Sequence, residues 1–60
     1  AFKELIDEVV RECRDDPQRA RDLIVGEVLR EAREAFELGD YREVEEYARE
    51  RLAELGVSID

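Results

Sequence analysis

The stretch that most constrains the fold is DLIVGEVL, residues 22–29, in which five Leu, Ile or Val side chains surround Gly26. It belongs either to a buried β-strand, which would make the protein α/β, or to a helix that contains a glycine. Apolar and polar residues do not alternate through LIV, and no turn residues bound the stretch, so both the period and the boundaries argue against a strand. The apolar residues between positions 20 and 38 instead cover about half of a helical circumference. A helix with so broad an apolar stripe needs two neighbours.

The segment before this helix also has helical periodicity. Its apolar residues recur at the spacing of one helix face, and they are Phe2, Leu5, Ile6, Val9, Val10 and Cys13. Asp16 can cap the second helix, and Pro17 suits the first position of that helix because its φ angle is already set. The sequence therefore predicts helix 1 over residues 2–14 and a second helix that begins at residue 17.

Glycines mark the predicted ends of the second and third helices. Gly39 suits the left-handed position that follows a helix, and Asp40 with Glu43 has the spacing of a capping box for the third helix. Gly56 is expected to end the third helix, with Val57 folding back in a Schellman arrangement. The second helix is therefore predicted to end at residue 38 and the third to span residues 41–55.

Together these patterns predict an all-α fold, a three-helix bundle with helices at about 2–14, 17–38 and 41–55 and two tight loops, in a single domain, 1–60. Helix 2 would be about 33 Å long, whereas helices 1 and 3 would reach only about 20 to 23 Å. With such short loops, helix 1 packs on the N-terminal part of helix 2 and helix 3 on its C-terminal part. We expect some of the apolar stripe of helix 2 to remain uncovered.

The charge balance argues against several classes of partner. The chain has 18 acidic and 10 basic residues, and its net charge of -8 repels nucleic acids and anionic membranes. We therefore expect no nucleic-acid partner and no membrane partner. The single cysteine, Cys13, fits a reducing compartment, which favours a cytoplasmic location.

The residue types that the chain lacks argue against an enzyme. It contains no His, Met, Trp, Thr or Asn, so an imidazole base, a nitrogen metal ligand and a threonine nucleophile are all missing. Cys13 has no histidine to activate it and lies on the apolar side of helix 1, which is typical of a small core residue. One side of helix 3 carries acidic residues that alternate with arginines, which is typical of a solvated face: Glu43, Glu46, Glu50 and Glu54. We predict no catalytic residue, no metal site and no cofactor.

The glycine inside helix 2 suggests a site of contact. Glycine costs about 1 kcal/mol relative to alanine in a helix interior, so Gly26 either admits a closely approaching helix or is tolerated on a solvated face. The leading hypothesis is a non-catalytic structural or protein-interaction module that self-associates as a two-fold homodimer through the spare edge of helix 2. The predicted interface residues are Val25, Gly26, Leu29, Arg33, Phe36 and Tyr47. The alternative is an adaptor whose groove accepts the amphipathic helix of another helical protein.

Two resemblances accompany these patterns. EAFELGDYREVEEYARERLAEL, residues 34–55, resembles the second half of a tetratricopeptide repeat, in which a Gly-Asp-Tyr turn joins two antiparallel helices. It departs from that family at Val44 and Arg51, where alanines are usual, and a solenoid would need at least three stacked units. The whole chain also resembles de novo designed helical bundles in its DDP and GD loops and its Glu/Arg surface. A natural protein rich in Arg and Glu fits the composition equally well.

Overall fold

The computed structural model describes residues 2–35 and 38–59, and within these ranges the chain forms helices and no strand. The helices are α1 (Phe2–Glu12), α2 (Pro17–Leu23), α3 (Leu29–Ala35) and α4 (Leu38–Glu54). Between α2 and α3 lies a π-helical segment, Ile24–Val28. It joins α2 to α3 without a break, and we call the whole of 17–35 the middle helix. The all-α, three-helix bundle predicted from the sequence is confirmed.

All three helices contact one another. α1 packs on α4, on the π segment and on α2, while α4 packs on α3 and also reaches α2. The predicted division of the middle helix between its two neighbours is therefore only partly right, because α4 contacts both ends of it. The radius of gyration is 10.4 Å, and a compact domain of this length is expected to have about 10.4 Å. The bundle is closed without help from another chain.

The core is entirely apolar among the described residues. Its largest fully buried side chains are Ile6, Ile24 and Leu52, one from each helix. No polar or charged side chain in the described ranges is buried. The buried residues within the described ranges are Ile6, Val10, Ala20, Ile24, Val28, Leu29, Ala32, Val44, Ala48 and Leu52.

The π segment keeps the buried face of the middle helix on one line. Ala20, Ile24, Val28 and Ala32 are all buried at intervals of four residues. In an uninterrupted α-helix, the rotation from Ala20 to Ala32 would leave the two side chains about 120° apart. The N–H of Leu29 donates to the carbonyl of Ile24, five residues earlier, and such a turn takes up about one additional residue. The remaining difference is only about 20°, so both alanines face the core.

The first connection follows the sequence prediction closely. α1 ends at Glu12, and the N–H of Asp16 donates to the carbonyl of Cys13 at 3.0 Å in the turn that follows. The Asp16 carboxylate accepts a hydrogen bond from the N–H of Arg19 at 3.4 Å, and Pro17 occupies the first helical position. The predicted cap is confirmed, and helix 1 is slightly shorter than expected because the turn takes its last residues.

The second connection is not where the sequence indicated. α3 ends at Ala35 and α4 begins at Leu38, so the prediction that helix 2 runs to residue 38 and helix 3 starts at residue 41 is wrong. Gly39 does not have a positive φ angle, and Asp40 lies in the first turn of α4 instead of capping it. A carboxylate in the first turn also interacts favourably with the helix dipole, so the same residues suit either position. Residues 36 and 37 lie outside the described ranges.

The end of α4 has the predicted Schellman geometry. Gly56 has a φ angle of 83°, which is the left-handed conformation that glycine adopts without steric cost. The N–H of Val57 donates to the carbonyl of Leu52 at 3.1 Å, and the N–H of Gly56 donates to that of Ala53 at 2.9 Å. These are the two hydrogen bonds that define the motif. The chain therefore turns sharply at Gly56, back toward the middle helix.

Substitution of each glycine by alanine tests these backbone assignments. Among the described residues, a Cβ atom added at Gly26, Gly39 or Gly56 would meet no heavy atom within 4 Å, so backbone conformation decides the effect. We expect Gly26→Ala to raise the free energy of unfolding by about 0.5–1 kcal/mol, because Gly26 lies inside a helix, and Gly39→Ala to raise it less, because Gly39 lies in the first turn of α4. Gly56→Ala is expected to lower it by about 1 kcal/mol, because the φ angle is positive. Urea denaturation followed by circular dichroism, at low protein concentration, measures all three, and a stabilising Gly56→Ala would contradict the assigned turn.

Candidate interaction surface

A shallow groove runs between the middle helix and α4. Its volume is about 380 Å³, and it is lined by Val25, Gly26, Leu29, Arg30, Arg33, Tyr41, Glu45 and Ile59. Four of the six predicted interface residues, those at positions 25, 26, 29 and 33, therefore lie together. Phe36 lies outside the described residues, and Tyr47 lies elsewhere on α4.

The apolar residues at the bottom of the groove are less exposed than the uncovered apolar stripe that the sequence predicted. Leu29 is only 4% exposed, and Val25 is half-buried against the core. Ile59, from the segment that follows α4, also packs against the core at this point. Leu5 of α1, which is 42% exposed, is the exposed large apolar residue among those described. The apolar stripe of the middle helix is thus mostly covered within the chain, and a narrow edge remains.

Gly26 lies on an exposed ridge of the middle helix. It borders the groove on one side and, on the other, a second shallow depression formed with Glu27, Arg30, Glu31 and Glu34. Arg30 borders both depressions as well, so the two residues lie on the ridge that separates them. No heavy atom of a neighbouring described residue would lie within 4 Å of a Cβ atom at Gly26. Close packing against the described residues therefore does not require this glycine.

Polar contacts shape the rim of the groove at Tyr41. Its hydroxyl donates to Oε2 of Glu45 at 3.3 Å, and the guanidinium of Arg33 lies 6.0 Å from the centre of its ring. Burial, followed by the nearby Glu45 carboxylate, raises the pKa of Tyr41 above its ordinary value. The ring therefore presents a neutral hydroxyl and an apolar face beside a cationic side chain.

Tyr47 faces the opposite neighbour, α1. Its hydroxyl donates to Oδ1 of Asp7 at 2.6 Å, and Nε of Arg51 donates to the same oxygen at 3.1 Å. The ammonium of Lys3 lies 5.5 Å from the centre of the Tyr47 ring, within the range of a cation–π interaction. Tyr41 and Tyr47 are six residues apart, which separates them by about 240° around a helix. The two rings therefore cannot line the same groove, and the packing of α4 against its neighbours decides which of them does.

Arg21 holds the segment after α4 in place, and no sequence pattern indicated this contact. Its Nε donates to the carbonyl oxygen of Ser58 and its Nη2 to that of Ile59, each at 2.9 Å. Residues 57–59 have no regular secondary structure, so these carbonyls have no helical partner. The guanidinium fork satisfies two of them at once and fixes Ile59 beside the groove.

The residues considered for catalysis or metal binding are dispersed. Cys13 is a free, half-buried thiol that packs against the core. The carboxylates at positions 43, 46, 50 and 54 are all exposed on α4. Within residues 2–35 and 38–59, no group of three or more His, Cys, Asp or Glu side chains could hold a metal ion. None of the helices in these ranges combines the length and apolarity needed to cross a membrane.

Comparison with known proteins adds no relative. No protein-family model, curated protein or solved structure matches the chain. The surface is therefore interpreted from its own residues.

Removal of the Arg21 guanidinium is expected to release residues 57–59. Arg21→Gln should speed amide hydrogen exchange of these residues and lower the free energy of unfolding by about 1 kcal/mol, because two hydrogen bonds are lost from a partly exposed site. Arg19→Gln, an exposed arginine of the same helix, is the matched control and should leave both quantities unchanged. Equal exchange rates in the two variants would show that Arg21 does not hold the segment.

The hydrogen bond between Tyr47 and Asp7 can be tested by titration. That bond, with burial and the negative charge of Asp7, raises the pKa of Tyr47 above its ordinary value of 10.0. The phenol is stabilised in its neutral form by folding, so this contribution to stability is present below pH 10.0 and is lost as the pH rises through the folded value. In a Tyr41→Phe background, absorbance titration should find this raised pKa, and Asp7→Asn should lower it. Glu8→Gln, at an exposed neighbouring carboxylate, should leave it unchanged; the same result for Asp7→Asn would argue against the bond.

Proposed function

We propose that this chain is a non-catalytic interaction module that self-associates, most simply as a two-fold homodimer, through the Gly26 ridge and the adjoining groove. The observation that carries the proposal is the exposed glycine in the middle of the longest helical segment. It costs about 1 kcal/mol relative to alanine, and no contact with the described residues accounts for it. A helix of a second molecule that packs across the ridge would use the space that the missing side chain leaves.

The shape of the surface supports a protein partner. Small ligands usually bury about 70–90% of their surface in a concave pocket. This groove, by contrast, is shallow and open. Its floor contains half-buried Val25 and Ile59, and its rim carries Arg30, Arg33 and Tyr41. Apolar side chains surrounded by arginine and tyrosine are typical of protein interfaces.

The groove carries basic side chains although the molecule as a whole is acidic. The chain has a net charge of -8, yet the groove is bordered by two arginines and one glutamate. The depression on the other side of the ridge has three glutamates and one arginine. Each molecule therefore carries both a basic and an acidic flank beside the same exposed glycine.

The size of the molecule limits the strength of the contact. The accessible surface is 4311 Å², and a standard interface covers about 800 Å² of each partner. Such an interface would take about a fifth of this surface, and the groove that it would cover is shallow. We therefore expect a weak dimer with a dissociation constant in the micromolar range, which corresponds to a binding free energy of about −8 kcal/mol.

Molar mass in solution tests the proposal. Light scattering after gel filtration, together with sedimentation equilibrium over a range of concentrations, should find a dimer that dissociates on dilution. Gly26→Leu should weaken it by about tenfold or more, because the added side chain separates the two backbones. Gly39→Leu is the matched control, since Gly39 is also an exposed helical glycine with no neighbour within 4 Å of an added Cβ.

Each result has a definite meaning. A wild-type protein that stays monomeric at millimolar concentration overturns self-association and favours the adaptor alternative, in which another protein's amphipathic helix occupies the groove. A dimer that Gly26→Leu weakens no more than Gly39→Leu removes Gly26 from the interface.

A further inference from the structure

We infer that the two copies of the middle helix cross in an antiparallel register centred on Gly26, in which each Asp22 pairs with Arg30 of the other copy. This inference rests on the proposed self-association and adds to it the orientation of the partner and the charge pairs that select it. The observation that supports it is the order of three residues along one exposed ridge, where an acidic residue, a glycine and a basic residue follow one another.

The ridge is defined by spacing and exposure. Asp22, Gly26 and Arg30 are separated by four residues each, which places them on one face of a helix. All three are exposed, and the side chain of Asp22 is 64% exposed. Gly26 and Arg30 also border the depressions on both sides of the ridge. A second helix that crosses here meets these residues first.

Two-fold symmetry makes the charge order self-complementary. Consider an antiparallel crossing centred on residue 26. A residue that lies a given number of positions before residue 26 in one copy then faces the residue that lies the same number of positions after residue 26 in the other copy. Asp22 precedes the centre by four residues and Arg30 follows it by four, so the crossing forms two Asp–Arg pairs. Because glycine lies at the centre, the backbones can approach closely enough for the guanidinium and the carboxylate to meet.

The same charges disfavour a parallel crossing. A parallel two-fold arrangement would place Asp22 beside Asp22 and Arg30 beside Arg30, which is repulsive in both pairs. Asp22 does have a partner within its own chain, because Nη1 of Arg21 lies 3.4 Å from its Oδ1. That contact is long and exposed, so the carboxylate is still open to a better-aligned arginine.

The antiparallel register also contains unfavourable pairs. Arg19 precedes the centre by seven residues and Arg33 follows it by seven, so these exposed arginines face each other in two pairs toward the ends of the contact. A further pair of like charges lies near the two-fold axis. Glu27 follows the centre by one residue and lies on the acidic flank, away from the groove. The two-fold operation keeps flanks of the same kind together, so the Glu27 carboxylates of the two copies come close to each other near the axis. Glu27→Gln is therefore expected to tighten the dimer, and a weaker dimer would contradict the orientation.

Reversal of the two charges gives a direct test. Asp22→Lys alone and Arg30→Glu alone each turn both pairs from attractive to repulsive, and each should weaken the homodimer about tenfold at low salt. The double variant restores both pairs with their signs exchanged and should recover the wild-type affinity. An equimolar mixture of the two single variants should form a heterodimer, because one chain then carries two bases at these positions and the other two acids.

Matched reversals elsewhere control for net charge. Glu46→Lys and Arg42→Glu change the net charge by the same amounts on the exposed side of α4. They should leave the affinity near that of the wild type, and their mixture should gain little. Circular dichroism of every variant confirms that it remains helical before its affinity is compared.

The outcomes separate this inference from the proposed function. One outcome is a wild-type dimer whose affinity changes no more with the reversals at positions 22 and 30 than with the control reversals. If the single variants also fail to pair on mixing, the register is overturned and self-association still stands. A monomeric wild type overturns both. Sedimentation equilibrium of the separate and mixed variants measures each case, and added salt should reduce the differences.

Discussion

The burial of Ile6, Ile24 and Leu52 in one apolar core is the constraint on which the rest of the structure depends. Each of these side chains comes from a different helix and has no accessible surface. Loss of a buried Leu or Ile side chain to alanine typically costs about 2–5 kcal/mol, a large share of the stability of any small domain. Because the core contains no polar group among the described residues, the fit of apolar side chains determines how the helices pack inside it. The buried alanines at positions 20, 32 and 48 let the helices approach one another around this core.

The π segment connects the core to the proposed interaction surface. It removes the rotation that would otherwise carry Ala32 away from the core, so the middle helix can pack along its whole described length. The same segment contains Gly26, which faces outward because Ile24 and Val28 face inward. π-helical turns are often found at functional sites. Here the turn serves packing directly, and by the same geometry it places an exposed backbone ridge on the outside.

Polar contacts outside the core decide how much surface remains for a partner. The hydrogen bonds of Tyr47 and Arg51 to Asp7 join α4 to α1 and occupy that face of the bundle. Those of Arg21 to the carbonyls of residues 58 and 59 hold the segment after α4 against the middle helix. Ile59 then covers part of the apolar stripe that the helices leave open. What remains is a narrow edge with arginines on its rim, and this is why we expect a weak and charge-dependent contact.

Local patterns in the sequence determined the helical fold, the cap at Asp16 and the Schellman turn at Gly56, because each depends on residues within about one turn of one another. They also brought together four of the six proposed interface residues, since neighbours along one helix edge follow from its period. Only the tertiary structure decided the π segment, the clamp of Arg21 and the assignment of Tyr41, not Tyr47, to the groove. These features depend on which helix lies opposite which, and that is settled by packing between residues far apart in the chain. The second connection shows the same limit on a smaller scale, because Gly39 and Asp40 suit either a turn or the start of a helix, and the structure places them in the first turn of α4.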